Sequence, residues 1–161
     1  MKITRIKAKN YKTYRHLDLD LTTDADRPII LIGGGNGCGK TTLFDAIYGA
    51  LYGIDFKSKR HFDELYNSGA KLENSNETPT IMLEISFTGN VLGQEIPYIL
   101  RRTYQMIDGS IRWSVELNMN GNTFRYGINT PATERSMNEA TVAKIIAANL
   151  PSELSNYFLL D

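Results

Sequence analysis

A glycine-rich run at residues 34–41 constrains the fold of this 161-residue chain more than any other feature. Its letters, GGNGCGKT, match the pattern G-x-x-x-x-G-K-[ST] at every fixed position. The apolar run at residues 29–32 predicts a strand buried on both faces, and residues 41–52 predict a helix. A buried strand, a glycine loop and a helix in this order indicate a loop that binds phosphate groups.

The chemistry of phosphate binding explains these residue types. Phosphate oxygens are bound by converging backbone N–H groups at a helix N-terminus, and Gly34, Gly37 and Gly39 allow close approach because they have no Cβ. Lys40 would neutralise charge on the β- and γ-phosphates during phosphoryl transfer, and Thr41 would offer its hydroxyl to Mg²⁺. The predicted nucleotide contacts within the loop are Gly34, Gly35, Asn36, Gly37, Cys38, Gly39, Lys40, Thr41 and Thr42.

Two residues of the loop also allow a plainer interpretation. Thr42 is placed to contact the α-phosphate, but it could equally be an ordinary threonine in the first helical turn. Cys38 is the only cysteine of the chain, which excludes an intramolecular disulfide. A small residue at a variable loop position explains Cys38 as well as a functional thiol does. We nevertheless expect alkylation of Cys38 to block nucleotide binding.

Composition and charge exclude several classes of protein. The chain has 42% hydrophobic and 22% charged residues, no signal peptide, and no stretch near the ~20 apolar residues of a membrane span. We therefore expect a cytoplasmic protein. The formal net charge of zero argues against a protein that coats nucleic acid. Arg5, Lys7 and Lys9 would share one face of a strand, either as the solvated face of an edge strand or as a strip facing DNA or phosphate.

The spacing of apolar residues predicts the secondary structure of the rest of the chain. Alternating apolar residues predict strands at 2–10, 15–21, 79–88, 95–106, 111–119 and 122–126. Asp108-Gly109 and Asn120-Gly121 are hairpin signals that join the last three strands into an antiparallel meander. Residues 54–78 are polar and predict an exposed connection with one helical turn. Ser136 and Glu139 have capping-box spacing at the start of a final helix, which Pro151 would end.

The two ends of the chain resemble SMC-type ATPases. Residues 36–47, NGCGKTTLFDAI, resemble the NGxGKT signature of this family, and residues 6–14, IKAKNYKTY, are similar to its first strand. The family includes the SMC proteins, RecN, the ATPase of the double-strand-break repair nuclease complex, and the DndD family of DNA phosphorothioate systems. Residues 151–161 look like the Q-loop segment of the DndD family, the best single match.

The resemblance implies an α/β P-loop NTPase fold: the N-terminal lobe of an ABC/SMC-type head, with an antiparallel β-meander and flanking helices. One lobe would fill residues 1–161, with strands at 1–33, the P-loop and its helix at 34–53, an exposed connection at 54–78, the meander at 79–126, and a helix with a Q-loop-like segment at 131–161. The coiled coil and C-terminal lobe of the family are absent, so we expect a piece of a longer protein.

The resemblance also implies roles for residues outside the loop. Lys12 and Thr13 would contact the nucleotide, and Tyr11 or Tyr14 would pack on the adenine or fill the core. Asp161 would act with Lys40 in catalysis, at the Q-loop position near Mg²⁺ or the attacking water. Walker B is the other interpretation of Asp161, but the glutamate and signature motif that accompany Walker B are missing.

The implied function is ATP binding in a head that acts in DNA repair, DNA phosphorothioate modification or restriction. ATP and Mg²⁺ are the implied cofactors, and the implied partners are DNA, the C-terminal lobe, a second head in an ATP-dependent dimer, and modification or nuclease subunits. The lobe alone should bind ATP–Mg²⁺ and hydrolyse it slowly. Lys59 and Arg60 would lie near phosphates or DNA, or in a solvated loop. A small P-loop kinase and an ATP-gated, non-catalytic interaction module are the alternatives.

Overall fold

The computed structural model describes residues 1–73 and 76–149, which form one antiparallel sheet and four helices. The strands are β1 (Lys2–Tyr11), β2 (Tyr14–Asp20), β3 (Thr80–Val91), β4 (Gln94–Ile107), β5 (Ser110–Met119) and β6 (Asn122–Gly127). The helices are α1 (Lys40–Tyr52), α2 (Lys59–Leu65), α3 (Ser68–Glu73) and α4 (Ala132–Asn149). The strand order is β2-β1-β3-β4-β5-β6. None of these helices is long and apolar enough to cross a membrane.

Tight turns connect the strands β3 to β6 into a meander. Asp108 and Asn120 have φ of 49° and 48°, and the glycine after each also has positive φ, as the hairpin signals predict. The turn between β3 and β4 is similar, with φ of 51° at Leu92. Its sequence, Leu-Gly, is not a recognised hairpin signal, and so this turn was not predicted from the sequence.

Helix α1 packs closely on the inner face of the sheet. Its buried side chains include Leu43, Ala46 and Ile47, at the spacing of one helix face. Gly49 brings the helix backbone near β3, because a Cβ at this position would lie 2.9 Å from Cδ1 of Leu83. A glycine in mid-helix is therefore explained by close helix–sheet packing rather than by a bend.

Charged side chains of alternating sign cross the outer face of the sheet. Glu84 is only 4% exposed and forms ion pairs with Lys7 at 3.3 Å and Arg101 at 2.5 Å. Strand β1 lies between β2 and β3, so the expectation of an edge strand is wrong, and its Lys7 has an acidic cross-strand neighbour on each side. The row in register from β2 to β6 is Asp18, Lys7, Glu84, Arg101, Glu116 and Arg125.

The segment predicted as an exposed connection is largely helical and partly buried. Helices α2 and α3 lie within residues 54–78, and Phe62 and Ala70 have no exposed surface. Tyr66 is 8% exposed. Phe62 lies on α2, Tyr66 is the extended residue after it and Ala70 lies on α3, and all three belong to the hydrophobic core. The lysines, asparagines and serines around these residues concealed their burial in the sequence.

The apolar run at residues 29–32 is not a buried strand in this structure, contrary to the prediction. Ile29 and Leu31 are 84% and 93% exposed, and no strand is assigned to the run. The physical reason is the lack of a partner, since no described strand pairs with these residues. An isolated strand cannot satisfy its backbone groups or bury its side chains.

The final helix also begins earlier than the sequence predicts. Helix α4 begins at Ala132, directly after Pro131, so Ser136 lies inside the helix and the proposed capping box is wrong. Proline suits the first turn of a helix because its φ is already helical and its missing N–H is not needed there. The predicted end at Pro151 lies outside the described residues.

Candidate functional site

The loop at residues 34–39 leads into the N-terminus of α1. Gly39 is the N-cap with φ of 86°, and Gly37 has φ of 81°, a left-handed conformation that favours glycine. Within the described part of the chain, no side chain caps this helix, and its first turn carries no acid. The first N–H groups of α1 and the positive end of its dipole are therefore available to an anion.

Lys40 folds back over the loop. Its Nζ donates to the carbonyl of Gly34 at 2.5 Å and to that of Gly35 at 2.9 Å. These two bonds hold the ammonium group beside the helix N-terminus, so a positive charge and the free N–H groups face the same space. The cavity there has a volume of about 270 Å³ and is lined by Thr13, Asn36, Gly37, Gly39, Lys40, Thr41 and Thr42.

The turn between β1 and β2 contacts the end of the glycine loop at Gly39. The hydroxyl of Tyr14 donates to the carbonyl of Gly39 at 2.9 Å, and burial raises the pKa of Tyr14, which keeps this donor protonated. A Cβ at residue 39 would lie 3.1 Å from the Tyr14 hydroxyl and 3.2 Å from Oγ1 of Thr13. Gly39 is thus required both by its φ and by the close approach of this turn.

Lys12 and Thr13, predicted together as nucleotide contacts, face different groups. Thr13 lines the cavity, whereas the ammonium group of Lys12 forms an ion pair with Asp45 on α1. Tyr11 is 3% exposed and fills the core rather than the cavity, and burial together with the nearby Asp45 carboxylate raises its pKa well above the usual range.

Three other predicted residues are not among those that line the cavity. Cys38 is exposed, and its backbone N–H donates to the carbonyl of Gly35 at 3.2 Å. Lys59 and Arg60 are exposed on α2, where Arg60 pairs with Glu64 one turn later, so these two cations belong to a solvated helix.

Of the two predicted Mg²⁺ ligands, only Thr41 lies in the described part of the chain, since Asp161 falls outside it. Across residues 1–73 and 76–149, no group of three or more His, Cys, Asp or Glu side chains could hold a metal ion. Thr41 lines the cavity beside the glycine loop, so its hydroxyl could be one ligand of a magnesium ion, which takes its other ligands from water, carboxylates and phosphate oxygens.

A second, larger cavity lies at the opposite end of α1. It has a volume of about 580 Å³ and includes Arg102, which is 8% exposed. The guanidinium group donates to the carbonyls of Ala50 at 2.9 Å and Leu51 at 2.8 Å. Arg102 therefore caps the C-terminus of α1, where a positive charge is favoured by the helix dipole.

One buried polar residue near the site, Asn67, was not predicted from the sequence. This asparagine is 8% exposed, and its Nδ2 donates to the carbonyl of Lys12 at 2.7 Å. The available signal was its place before Ser68-Gly69, since asparagine is a preferred N-cap residue. The contact with Lys12 could not be predicted, because 55 residues separate the two partners.

Comparison with known proteins points to one group of ATPases. The sequence model described as an AAA domain matches residues 5–161. A DNA replication and repair protein RecF from Carboxydothermus hydrogenoformans is 33% identical over 94 residues, which cover 55% of this chain and 26% of that protein. One component of the nuclease SbcCD from Vibrio cholerae is 35% identical over 72 residues, which cover 45% of this chain and 7% of that component.

A solved structure shares the fold. It comes from work on the structural biochemistry of ATP-driven dimerization and DNA-stimulated activation of SMC ATPases. The match has a TM-score of 0.50 and 21% identity, and covers 76% of this chain and 72% of the other. These similarities confirm the resemblance to SMC-like ATPases, and the antiparallel sheet with its helices fits the α/β fold expected from it. The chain spans about a quarter or less of the two relatives described above.

Proposed function

Because this chain belongs to the AAA domain family, we propose that it binds ATP–Mg²⁺ at residues 34–41 as the N-terminal lobe of an SMC-like ATPase. The observation that carries the proposal is the position of Lys40, whose ammonium group lies beside the uncapped N-terminus of α1. Such an arrangement favours a polyanion over any neutral ligand.

Different residues of the cavity would bind different parts of a nucleoside triphosphate. Backbone N–H groups of the loop and the ammonium of Lys40 would hold the phosphates, while the Thr41 hydroxyl would be a ligand of Mg²⁺. When bound, Mg²⁺ neutralises phosphate charge. Thr13 closes the cavity from the β1–β2 side. A carboxylate that orients water is needed for fast hydrolysis, and we assign that role to Asp161 or to a group in the C-terminal lobe.

Calorimetric titration with ATP and Mg²⁺ tests this assignment. Lys40→Ala should weaken ATP binding by roughly a hundredfold, because charge-assisted contacts with phosphate are lost. Lys59→Ala is the matched control, since it removes an exposed lysine that lies outside the cavity, and it should bind as the parent does. Equal affinities for the Lys40→Ala variant and the parent, with both folded, would refute the site.

We further propose that the exposed run at residues 29–32 pairs with a strand of the C-terminal lobe. Four consecutive apolar residues, with Ile29 and Leu31 more than four-fifths exposed, are costly to leave in water. A second lobe would supply backbone partners and cover these side chains. This arrangement would place groups of that lobe next to the glycine loop, which begins two residues later.

The biological role proposed for the whole protein is ATP-driven action on DNA. Support comes from relatives named for DNA replication and repair and for a nuclease complex. Within this group we propose DNA phosphorothioate modification or restriction, on the resemblance of residues 151–161 to the DndD family. The test is ATP hydrolysis by the full-length protein with and without DNA. A rate that DNA does not change, in a protein that hydrolyses ATP, would contradict a DNA substrate.

A further inference from the structure

A short antiparallel bridge joins the end of β1 to the segment between α2 and α3. The N–H of Lys12 donates to the carbonyl of Leu65 at 2.7 Å, and the N–H of Asn67 donates to the carbonyl of Asn10 at 3.0 Å. Tyr11 and Tyr66 are the paired residues of this bridge. The α2–α3 segment is therefore attached to the strand end that leads into the cavity.

The side chain of Asn67 adds two bonds to this bridge. Its Nδ2 donates to the carbonyl of Lys12 at 2.7 Å, and its Oδ1 accepts the N–H of Ala70 at 3.1 Å in the first turn of α3. Asn67 is 8% exposed, so water competes little for either bond. One amide group thus links a helix start to the backbone of the β1–β2 turn.

The carbonyl that Asn67 holds belongs to a strained residue. Lys12 has φ of 47°, a left-handed conformation that a lysine does not adopt without support from its surroundings. That conformation determines where the next residue, Thr13, lies. Thr13 lines the phosphate cavity, and Tyr14 is bonded to Gly39. A chain of contacts therefore connects Asn67 to the glycine loop through the β1–β2 turn.

We propose that Asn67 is a positioning residue of the nucleotide site, which holds Thr13 against the glycine loop and couples the α2–α3 segment to ATP affinity. The inference rests on the proposed function of that site. Loss of the bond to Lys12 would release the left-handed residue and move Thr13 away from the cavity. Any partner that shifts α3 would change ATP affinity by the same route.

Three variants of the chain, compared by ATP titration and thermal unfolding, test the proposal. Asn67→Ala should weaken ATP binding by up to roughly tenfold, because the lost bond to the Lys12 carbonyl stabilises the binding arrangement of the turn by about that factor. Asn67→Asp should weaken binding as much while keeping α3, because a carboxylate still accepts the Ala70 N–H but cannot donate to the Lys12 carbonyl. Asn138→Ala is the matched control, since Asn138 also donates an amide N–H to a carbonyl, that of Arg125 at 2.8 Å.

A double variant tests whether Asn67 affects ATP binding through Thr13. If Asn67 acts by placing Thr13, the losses from Asn67→Ala and Thr13→Ala should not add, and the double variant should bind ATP about as weakly as the weaker single one. Additive losses would overturn the proposal. So would parental ATP affinity in Asn67→Ala or Asn67→Asp. The Lys40→Ala result stands apart from both outcomes, because it decides whether the site binds ATP at all.

Discussion

Strand β3 and the run at residues 29–32 have similar side chains but opposite environments. In β3, Ile81, Leu83 and Ile85 have no exposed surface, and the strand pairs with β1 and β4 along its length. In the run, Ile29 and Leu31 are among the most exposed apolar residues of the described chain. The difference shows that an apolar sequence becomes a buried strand only where neighbouring strands and a helix cover it.

The largest expected difference is in stability after truncation of one leucine in each region. Leu83→Ala should lower the free energy of unfolding by about 2–5 kcal/mol, because it leaves a cavity beneath α1 at Gly49. Leu31→Ala should change it by less than about 0.5 kcal/mol, since Leu31 is 93% exposed. Urea denaturation monitored by circular dichroism measures both. A large loss from Leu31→Ala would show that the run is packed in solution.

A smaller effect is expected on the outer face of the sheet. Glu84→Ala should destabilise the fold by about 1–3 kcal/mol, because Lys7 and Arg101 lose the buried carboxylate that both contact. Glu64→Ala, which removes the exposed partner of Arg60 on α2, should cost less than about 0.5 kcal/mol. Comparable losses in the same denaturation experiment would mean that burial of Glu84 adds nothing to its ion pairs.

A still smaller effect should appear only at high pH. Burial raises the pKa of Tyr11, so the folded chain keeps this proton after unfolded chains lose it near pH ~10. The stability that Tyr11 contributes is therefore fully present below about pH 10 and is lost as the pH rises further. Tyr11→Phe should reduce the slope of stability against pH above 10, with Tyr48→Phe, 43% exposed, as the control. An unchanged slope would argue against the burial of Tyr11.

The smallest effect on stability should come from modification of the glycine loop. Alkylation of Cys38 should leave the unfolding temperature unchanged, because its side chain is exposed, yet it should abolish ATP binding, because the added group lies between Gly37 and Gly39, which line the proposed site. Bound ATP should slow the alkylation, and Cys38→Ser should bind ATP and resist the reagent. Normal ATP binding by fully alkylated protein would remove Cys38 from the site. Loss of ATP binding at an unchanged unfolding temperature would show that function and stability are separate in this loop, unlike in the sheet.

Local patterns predicted much of this structure. The six strands of the sheet follow the period of two in the sequence, and two of its hairpins follow Asx-Gly turns, because side-chain alternation and positive φ are properties of neighbouring residues. The glycine loop and α1 were also predicted, since G-x-x-x-x-G-K-[ST] encodes backbone freedom and a helix start together. The start of α4 was missed because Pro131 and a capping-box spacing gave competing local signals.

The sequence by itself determined the residue types of the glycine loop: glycines that permit left-handed backbone, a lysine and two threonines at a helix start. Only the tertiary structure decided which distant groups support that loop. It turned Lys12 toward Asp45, placed Thr13 in the cavity and bonded Asn67 to the turn. It also left residues 29–32 exposed. The physical reason is that burial and pairing depend on what other parts of the chain lie nearby, and residues far apart in sequence leave no local pattern of their contact.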